Sequence, residues 1–306
     1  MLVLSFRKVS SLIMLLMAAM LLQACNHDED EVLGDNVDLT DSYRVEYTSD
    51  MTAIMEGKSV FTLEVTDLST GSLVPGLNIS VMPMMTMVSG MMHDSPVSAV
   101  TDNGDGSYEV TVYYLMPSSM MNGTPMGDWD LQVMIGGMNG EVAHFYPDVM
   151  MAMGDSVKAT LLGQSDMIAG MMMAENRKYF MFKQSLMGVT DNHSFGLFLA
   201  ARESMMSHAA VYLGAVLNQG DINYELTVSS ISVEVSTDAT NWQAATGSGD
   251  GYWTVSGLSG LTNNVAGEIY VRLSVNGEQK TTNGLSPAGD GTNDYGVFTV
   301  TPGMSM

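Results

Sequence analysis

Polar and apolar residues alternate with a period of two along most of this chain. Phe61, Leu63 and Val65 take turns with Thr62, Glu64 and Thr66; Tyr108, Val110 and Val112 with Glu109 and Thr111; Trp129, Leu131, Val133 and Ile135 with Asp130, Gln132 and Met134. Successive side chains of a strand point to opposite faces, so each run predicts a strand with one apolar face. Turn-forming residues separate the runs: Asp102-Asn103-Gly104-Asp105-Gly106 ahead of Tyr108, and Gly136-Gly137-Met138-Asn139-Gly140 after Ile135. Gly and Asn reach the positive φ that tight hairpins need. The alternation places Met134 on the polar face with Asp130 and Gln132, where it is expected to meet solvent or a ligand.

Residues 43–163 therefore read as one antiparallel sandwich of about seven strands, a size ordinary for an immunoglobulin-like domain. Farther on, Tyr179-Phe180-Met181-Phe182, Phe195-Gly196-Leu197-Phe198-Leu199 and Ala210-Val211-Tyr212-Leu213 read as buried strands, with room for a helical turn between residues 200 and 210. Alternation returns in Ile231, Val233 and Val235, in Trp253 and Val255, and in Ile269, Val271, Leu273 and Val275. Residues 177–303 predict a second sandwich, whose last part is similar to fibronectin-type or immunoglobulin-like modules, and 164–176 read as a linker. The expected fold class is all-β, with two immunoglobulin-like β-sandwich domains.

The first 25 residues follow another pattern. A basic start (Arg7, Lys8) precedes an apolar run from Leu12 to Leu22 and then Leu22-Gln23-Ala24-Cys25. The run is short for a membrane span, and its ending resembles the lipobox of bacterial lipoproteins, so 1–24 is expected to be a signal peptide and Cys25 to carry lipid. The segment 25–42 is acidic and aperiodic, which predicts a tether; its start, Asn26-His27-Asp28-Glu29-Asp30-Glu31, is similar to surface-export signals of some lipoproteins. Nothing after Cys25 predicts a second apolar helix, so membrane attachment is expected through the lipid alone. Loss of residues 1–25 removes Arg7 and Lys8 and no acid, taking the net charge from −23 to −25. That field repels nucleic acid and attracts cations, and it also serves solubility. With its one cysteine acylated, the mature chain has no thiol for a disulfide or a thiolate site.

Composition then changes the picture, because 31 of the 306 residues are Met and Met is absent from Ser207 to Gly303. Six of them, with one His, fall in Met82-Pro83-Met84-Met85-Thr86-Met87-Val88-Ser89-Gly90-Met91-Met92-His93. Thioether sulfur is a soft donor that selects Cu(I), and a core built mainly of Met would be poorly specified. Met82 shares a face with Ser80, so the segment is expected to leave a strand and run into a flexible loop that gathers thioethers. Candidate ligands are Met82, Met84, Met85, Met87, Met91, Met92 and His93, joined by Met120, Met121 and Met126 from a second loop that also holds Met116. The same donors suit Ag(I). Among the other histidines, His208 beside Met205 and Met206 is an accessory candidate, ahead of His193; His27 is a weak tether ligand, and His144 is expected to be packed or hydrogen-bonded.

The block Met82-Pro83-x-Met85-x-Met87-x-x-Gly90-Met91-x-His93-x-x-Pro96, followed by Asp105-Gly106-Ser107-Tyr108 and Met126-Gly127-Asp128-Trp129-Asp130-Leu131, resembles the YtkA-like and FixH-like domain family over roughly residues 57–163. The resemblance implies an exported β-sandwich tied to copper handling, with Met82, Met85, Met87, Met91 and His93 as ligands and a copper enzyme or transporter of the envelope as partner. Gly106, Tyr108, Gly127 and Trp129 would be fold determinants.

Other readings compete. A Met-rich segment also makes an adaptable contact surface or an oxidant sink. Asp102-Asn103-Gly104-Asp105-Gly106 and Asp290-Gly291-Thr292-Asn293-Asp294 look calcium-like but lack the closing Glu, and hairpin turns explain them better. No nucleophile elbow, His-Glu-x-x-His or phosphate loop occurs, so an enzyme is not expected. The alternative function is surface adhesion or carbohydrate and protein binding, in which Trp242, Tyr252 and Trp253 would stack on a sugar.

Overall fold

The computed structural model describes residues 34–48, 54–137 and 139–303, and these residues form strands and turns with no helix. None of them is helical, long and apolar enough to cross a membrane. The expected signal peptide, Cys25, His27, most of the acidic run and Met138 lie outside the described residues.

The first sandwich packs two sheets. One has the order β1 (Val37–Leu39), β2 (Tyr43–Tyr47), β3 (Gly57–Asp67), β7 (Ser107–Tyr114), β6 (Val97–Asp102); the other has the order β5 (Met92–Asp94), β4 (Ile79–Met87), β8 (Gly127–Ile135), β9 (Glu141–Phe145). Their inward residues make one core, with Phe61, Leu63 and Val65 of β3 and Tyr108, Val110 and Val112 of β7 against Trp129, Leu131 and Val133 of β8. Tyr47 stacks on Phe61 at 4.5 Å, and Tyr114 meets Trp129 edge-on at 5.0 Å. The Tyr108 hydroxyl donates to Val74 O (2.7 Å) and accepts from Leu77 N (3.0 Å), pinning the 68–78 connection. Gly106 has φ +92°, and a Cβ there would lie 2.5 Å from that of Leu73, so the turn needs glycine. The sandwich has nine strands where the periodicity predicts about seven. The two short ones, β1 and β5, have three residues each and give no measurable period.

The second sandwich holds β10 (Lys158–Ile168), β11 (Glu175–Val189), β12 (Asn192–Ser204), β19 (Tyr252–Leu258) and β18 (Thr246–Gly247) in one sheet, with β13 (Ser207–Ala210) on β12. Facing it are β17 (Gln243–Ala244), β16 (Ile231–Ser236), β20 (Gly267–Val275) and β21 (Glu278–Gln279), with β22 (Gly296–Val300) on β20. A ribbon of β14 (Val216–Leu217) and β15 (Leu226–Thr227) completes it. The core runs through Tyr179, Phe195, Leu197, Val233, Trp253, Val271 and Phe298.

Three expected boundaries shift. Residues 164–176 are no linker, because β10 extends to Ile168 and turns directly into β11. The expected tether ends early, since Val37–Leu39 pairs with Arg44–Glu46. Residues 200–210 form β12, a turn and β13, not a helical turn, because Phe195–Ala201 is apolar on both faces of a central strand.

From Asp35 onward the chain is one compact unit, and the sandwiches share a seam. Tyr113 of β7 stacks on Phe198 at 4.4 Å and lies 5.0 Å from Phe182, in a cluster with Phe180 and Ala200. Its hydroxyl donates to Gln184, and Tyr252 donates to Ser98 (2.7 Å).

Candidate functional site

The Met82–His93 block is not a loop. Its first six residues lie in β4, whose neighbours across β8 are Ile79↔Ile135, Val81↔Val133, Pro83↔Leu131 and Met85↔Trp129 on the core side, and Ser80↔Met134, Met82↔Gln132, Met84↔Asp130 and Thr86↔Asp128 on the other. Met85 is fully buried in the core, and Met84, on the opposite face, is 2% exposed. Thioethers on opposite faces of one strand cannot meet at one ion, so the expected gathering of Met82, Met84, Met85 and Met87 does not occur. Met134 takes the outer face as its alternation requires, yet it is 8% exposed and does not face solvent.

Pro83 explains why the segment reads as a loop. The Pro83 carbonyl accepts from Ser95 N (3.1 Å), so its missing N–H falls on the side where β5 has ended, and no ladder bond to β8 is lost.

The methionines after β4 do gather at one end of the sandwich. Met87 N donates to Met91 O (2.8 Å) across a turn that needs Gly90 at φ +82°. Val88 N donates to Met126 O (3.0 Å), Met126 N to Ser118 O (2.8 Å), Met120 N to Thr124 O (2.9 Å) and Ser118 N to Val149 O (2.7 Å). Those bonds strap residues 87–92, 116–126 and 149–150 together, so the two loops expected to converge do so. Met116 and Met126 pack on the core, and the Trp129 indole donates to Met116 O (3.2 Å). Met91, Met92, Met120 and Met121 point outward, with exposures from 40% to 74%, and Met150, on the strapped 149–150 segment, is exposed as well.

His93, opposite Met85 on β5, leaves this end toward the second sandwich. Burial first, and then the charges of Arg202 and Lys178, hold its pKa below the ordinary histidine value, which keeps the imidazole neutral. Next to it Asp94 Oδ1 lies 2.6 Å from His208 Nδ1, a close contact whose angles are not those of a hydrogen bond, and Phe180 meets the His208 ring edge-on. The turn carrying Met205 reaches the same place, since Asp94 N donates to Met205 O (3.4 Å). His208 thus stands beside His93, although sequence reasoning named Asp94 nowhere. A buried Asp on an edge strand leaves no period to find.

The remaining candidates sit elsewhere. His144 Nδ1 contacts Asp130 (2.9 Å), and His193 is buried with Nε2 on Asn263 (2.8 Å). Asp102, Asp105, Asp290 and Asp294 accept from backbone N–H groups in or beside their own turns, at Gly104, Ser107, Thr292 and Gly291. Of the aromatic residues offered for sugar stacking, Trp253 is core, Tyr252 is in the seam, and Trp242 lies under Arg272 at 3.8 Å, so the three share no surface. Among the described residues no group of three or more His, Cys, Asp and Glu is placed to hold a metal ion.

No protein-family model matches the sequence, and no curated protein matches it. Solved structures with some likeness include FdeC, an adhesin of Escherichia coli, at 16% identity over 88% of this chain and 67% of that one, with a TM-score of 0.24. Invasin, a bacterial integrin-binding protein, matches at 13% identity over 84% of this chain with a TM-score of 0.26, and this chain covers 39% of its length. Overlap this small assigns no function.

Proposed function

We propose that this chain is a non-catalytic, lipid-anchored binding protein of the bacterial envelope whose recognition surface is the methionine-lined end of the first sandwich, used for adhesion or protein binding. The observation that carries the reading is the outward set Met91, Met92, Met120 and Met121 on two strapped loops. Loop clusters at the end of a sandwich are where such folds place recognition. Exposed thioether side chains adapt to partners of varied shape, and a rigid frame beneath them limits the entropy lost on docking. The anchor rests on Leu22-Gln23-Ala24-Cys25, and the acidic −25 field argues against nucleic acid as partner.

A second reading is Cu(I) binding at the same end, for delivery or sequestration. It is favoured by the strapping of Met87, Met91 and Met92 against Met120, Met121 and Met126, with neutral His93 following in the chain. These donors fit a soft ion, whereas Met82, Met84 and Met85 cannot share it with them.

One substitution pair separates the readings. Leu at positions 91, 92, 120 and 121 keeps apolar area and removes sulfur, while Glu removes both. A contact surface predicts that beads carrying residues 26–306 stay on protein-coated surfaces with the Leu variant and are lost about tenfold with Glu, a difference of about 1.4 kcal/mol. Copper binding predicts that the Leu variant stops competing with a chromophoric chelator for Cu(I) under anaerobic conditions. Unchanged retention with Glu overturns the first reading, and unchanged competition with Leu overturns the second.

A further inference from the structure

A cleft of about 750 Å³ opens beside the seam, and neither Met91 nor Met121 lines it. Ile54, Met55, Val60, Met150, Val157 and Leu186 give it apolar walls drawn from both sandwiches. Its volume lies in the range that encloses a small organic ligand.

Most charged and polar groups of the lining have partners. Lys183 pairs with Asp155 (2.8 Å), whose other oxygen accepts from Thr301 N (2.8 Å). Glu56 pairs with Lys158. Gln184 accepts from Tyr113, and Ser59 donates to Met55 O (3.2 Å). Among the described residues Lys58, which is exposed, has no acid partner. Among the described residues every other lysine and arginine pairs with a carboxylate, except Lys178 beside His93 and Arg272 over Trp242. In a chain with 34 acids and 11 bases, Lys58 is thus a cation at the rim of an apolar cleft whose charge no neighbouring carboxylate of the described residues takes up. The same acidic surroundings repel a polyanion, so a single negative charge is what this cleft accommodates.

We propose that the cleft between the sandwiches binds a single-chain amphiphile with one carboxylate head, its alkyl chain against Val60, Met150, Val157 and Leu186 and its head on the Lys58 ammonium. A charge-assisted hydrogen bond of this kind is stronger than a neutral one, and the apolar chain supplies the rest by leaving water. Met150 belongs both to this wall and to the border of the methionine-lined end, whose Met91, Met92, Met120 and Met121 do not line the cleft.

Calorimetric titration of the exported full chain tests it, with dodecanoate and dodecanol as probes below their micellar concentrations. The expected result is one-to-one binding of dodecanoate, about tenfold weaker in Lys58→Gln, with dodecanol unaffected by that change. Val60→Trp fills the cleft from an exposed strand position and is expected to abolish both, while circular dichroism and thermal melting report an intact fold. The Leu variant at positions 91, 92, 120 and 121 is expected to bind dodecanoate as the parent does, which separates this site from the recognition surface. Absence of dodecanoate binding, or equal binding by parent and Lys58→Gln, overturns the proposal.

Discussion

Arg177 is fully buried in the second sandwich, and its guanidinium is spent on fixed partners: Asp166 Oδ1 (2.8 Å), the Tyr224 carbonyl (2.8 Å) and the Asn218 side chain. Asp166 also accepts from Tyr179 and faces Lys280 at 3.4 Å. Breaking such a pair from one side leaves a charge in an apolar place, so Arg177→Met is expected to cost about 3–5 kcal/mol in urea denaturation, and Lys178→Met, half-buried and without a carboxylate partner among the described residues, distinctly less. Nothing in Glu175-Asn176-Arg177-Lys178 tells the two cations apart, because the distinction comes from partners on β10 and beyond β14. Trp129 was legible, since its alternation with Leu131 and Val133 leaves only the inward face. Asp94 and His208 were not, because a contact between sandwiches writes no period into either strand.

At the scale of the element, β4 holds the main lesson. Its pairing with β8 follows the period of two, and the same period splits the methionines between faces, so the rule that located the strand also excluded a single ion among Met82, Met84 and Met85. Proline and the density of Met pull the reading toward loop; what decides is that the missing donor meets no ladder partner. A second element-level device ties β10 to β21. Burial pushes the Glu278 carboxyl upward, but hydrogen bonds from Lys280, Ser165 and the backbone N–H of Gln164 and Ser165 outweigh it and bring the pKa down to about 2. A carboxylate depressed in the folded state stabilises it fully above the unfolded value near 4.5, and that contribution is lost as pH falls from there toward 2. Thermal midpoints measured down this range are expected to fall less steeply for Glu278→Gln than for the parent, and equal slopes would remove Glu278 from the account.

For the whole molecule, the sequence made the two sandwiches legible and left their joint hidden. Val112-Tyr113-Tyr114-Leu115 is a continuous apolar run at the end of an alternating strand, which is how a strand covered on both faces reads, and Tyr113 is the residue that faces outward into the second sandwich. Tyr113→Ala removes the stack on Phe198 and the bond to Gln184. Calorimetry is expected to resolve one parent transition into two, and a single transition with unchanged width would mean the seam does not couple the halves. The hairpin between β10 and β11 gives the opposite case. Its tip, Met171-Met172-Met173, is closed by Gly170 N on Met173 O (3.1 Å), and Met172 is 95% exposed. A foreign peptide spliced in at Met172 would lengthen a loop that is already shut at its base, and each doubling of such a loop costs only ~0.6 kcal/mol. For protein engineering, that makes the tip a display position, where an epitope or affinity tag can ride on the fold without displacing a core side chain.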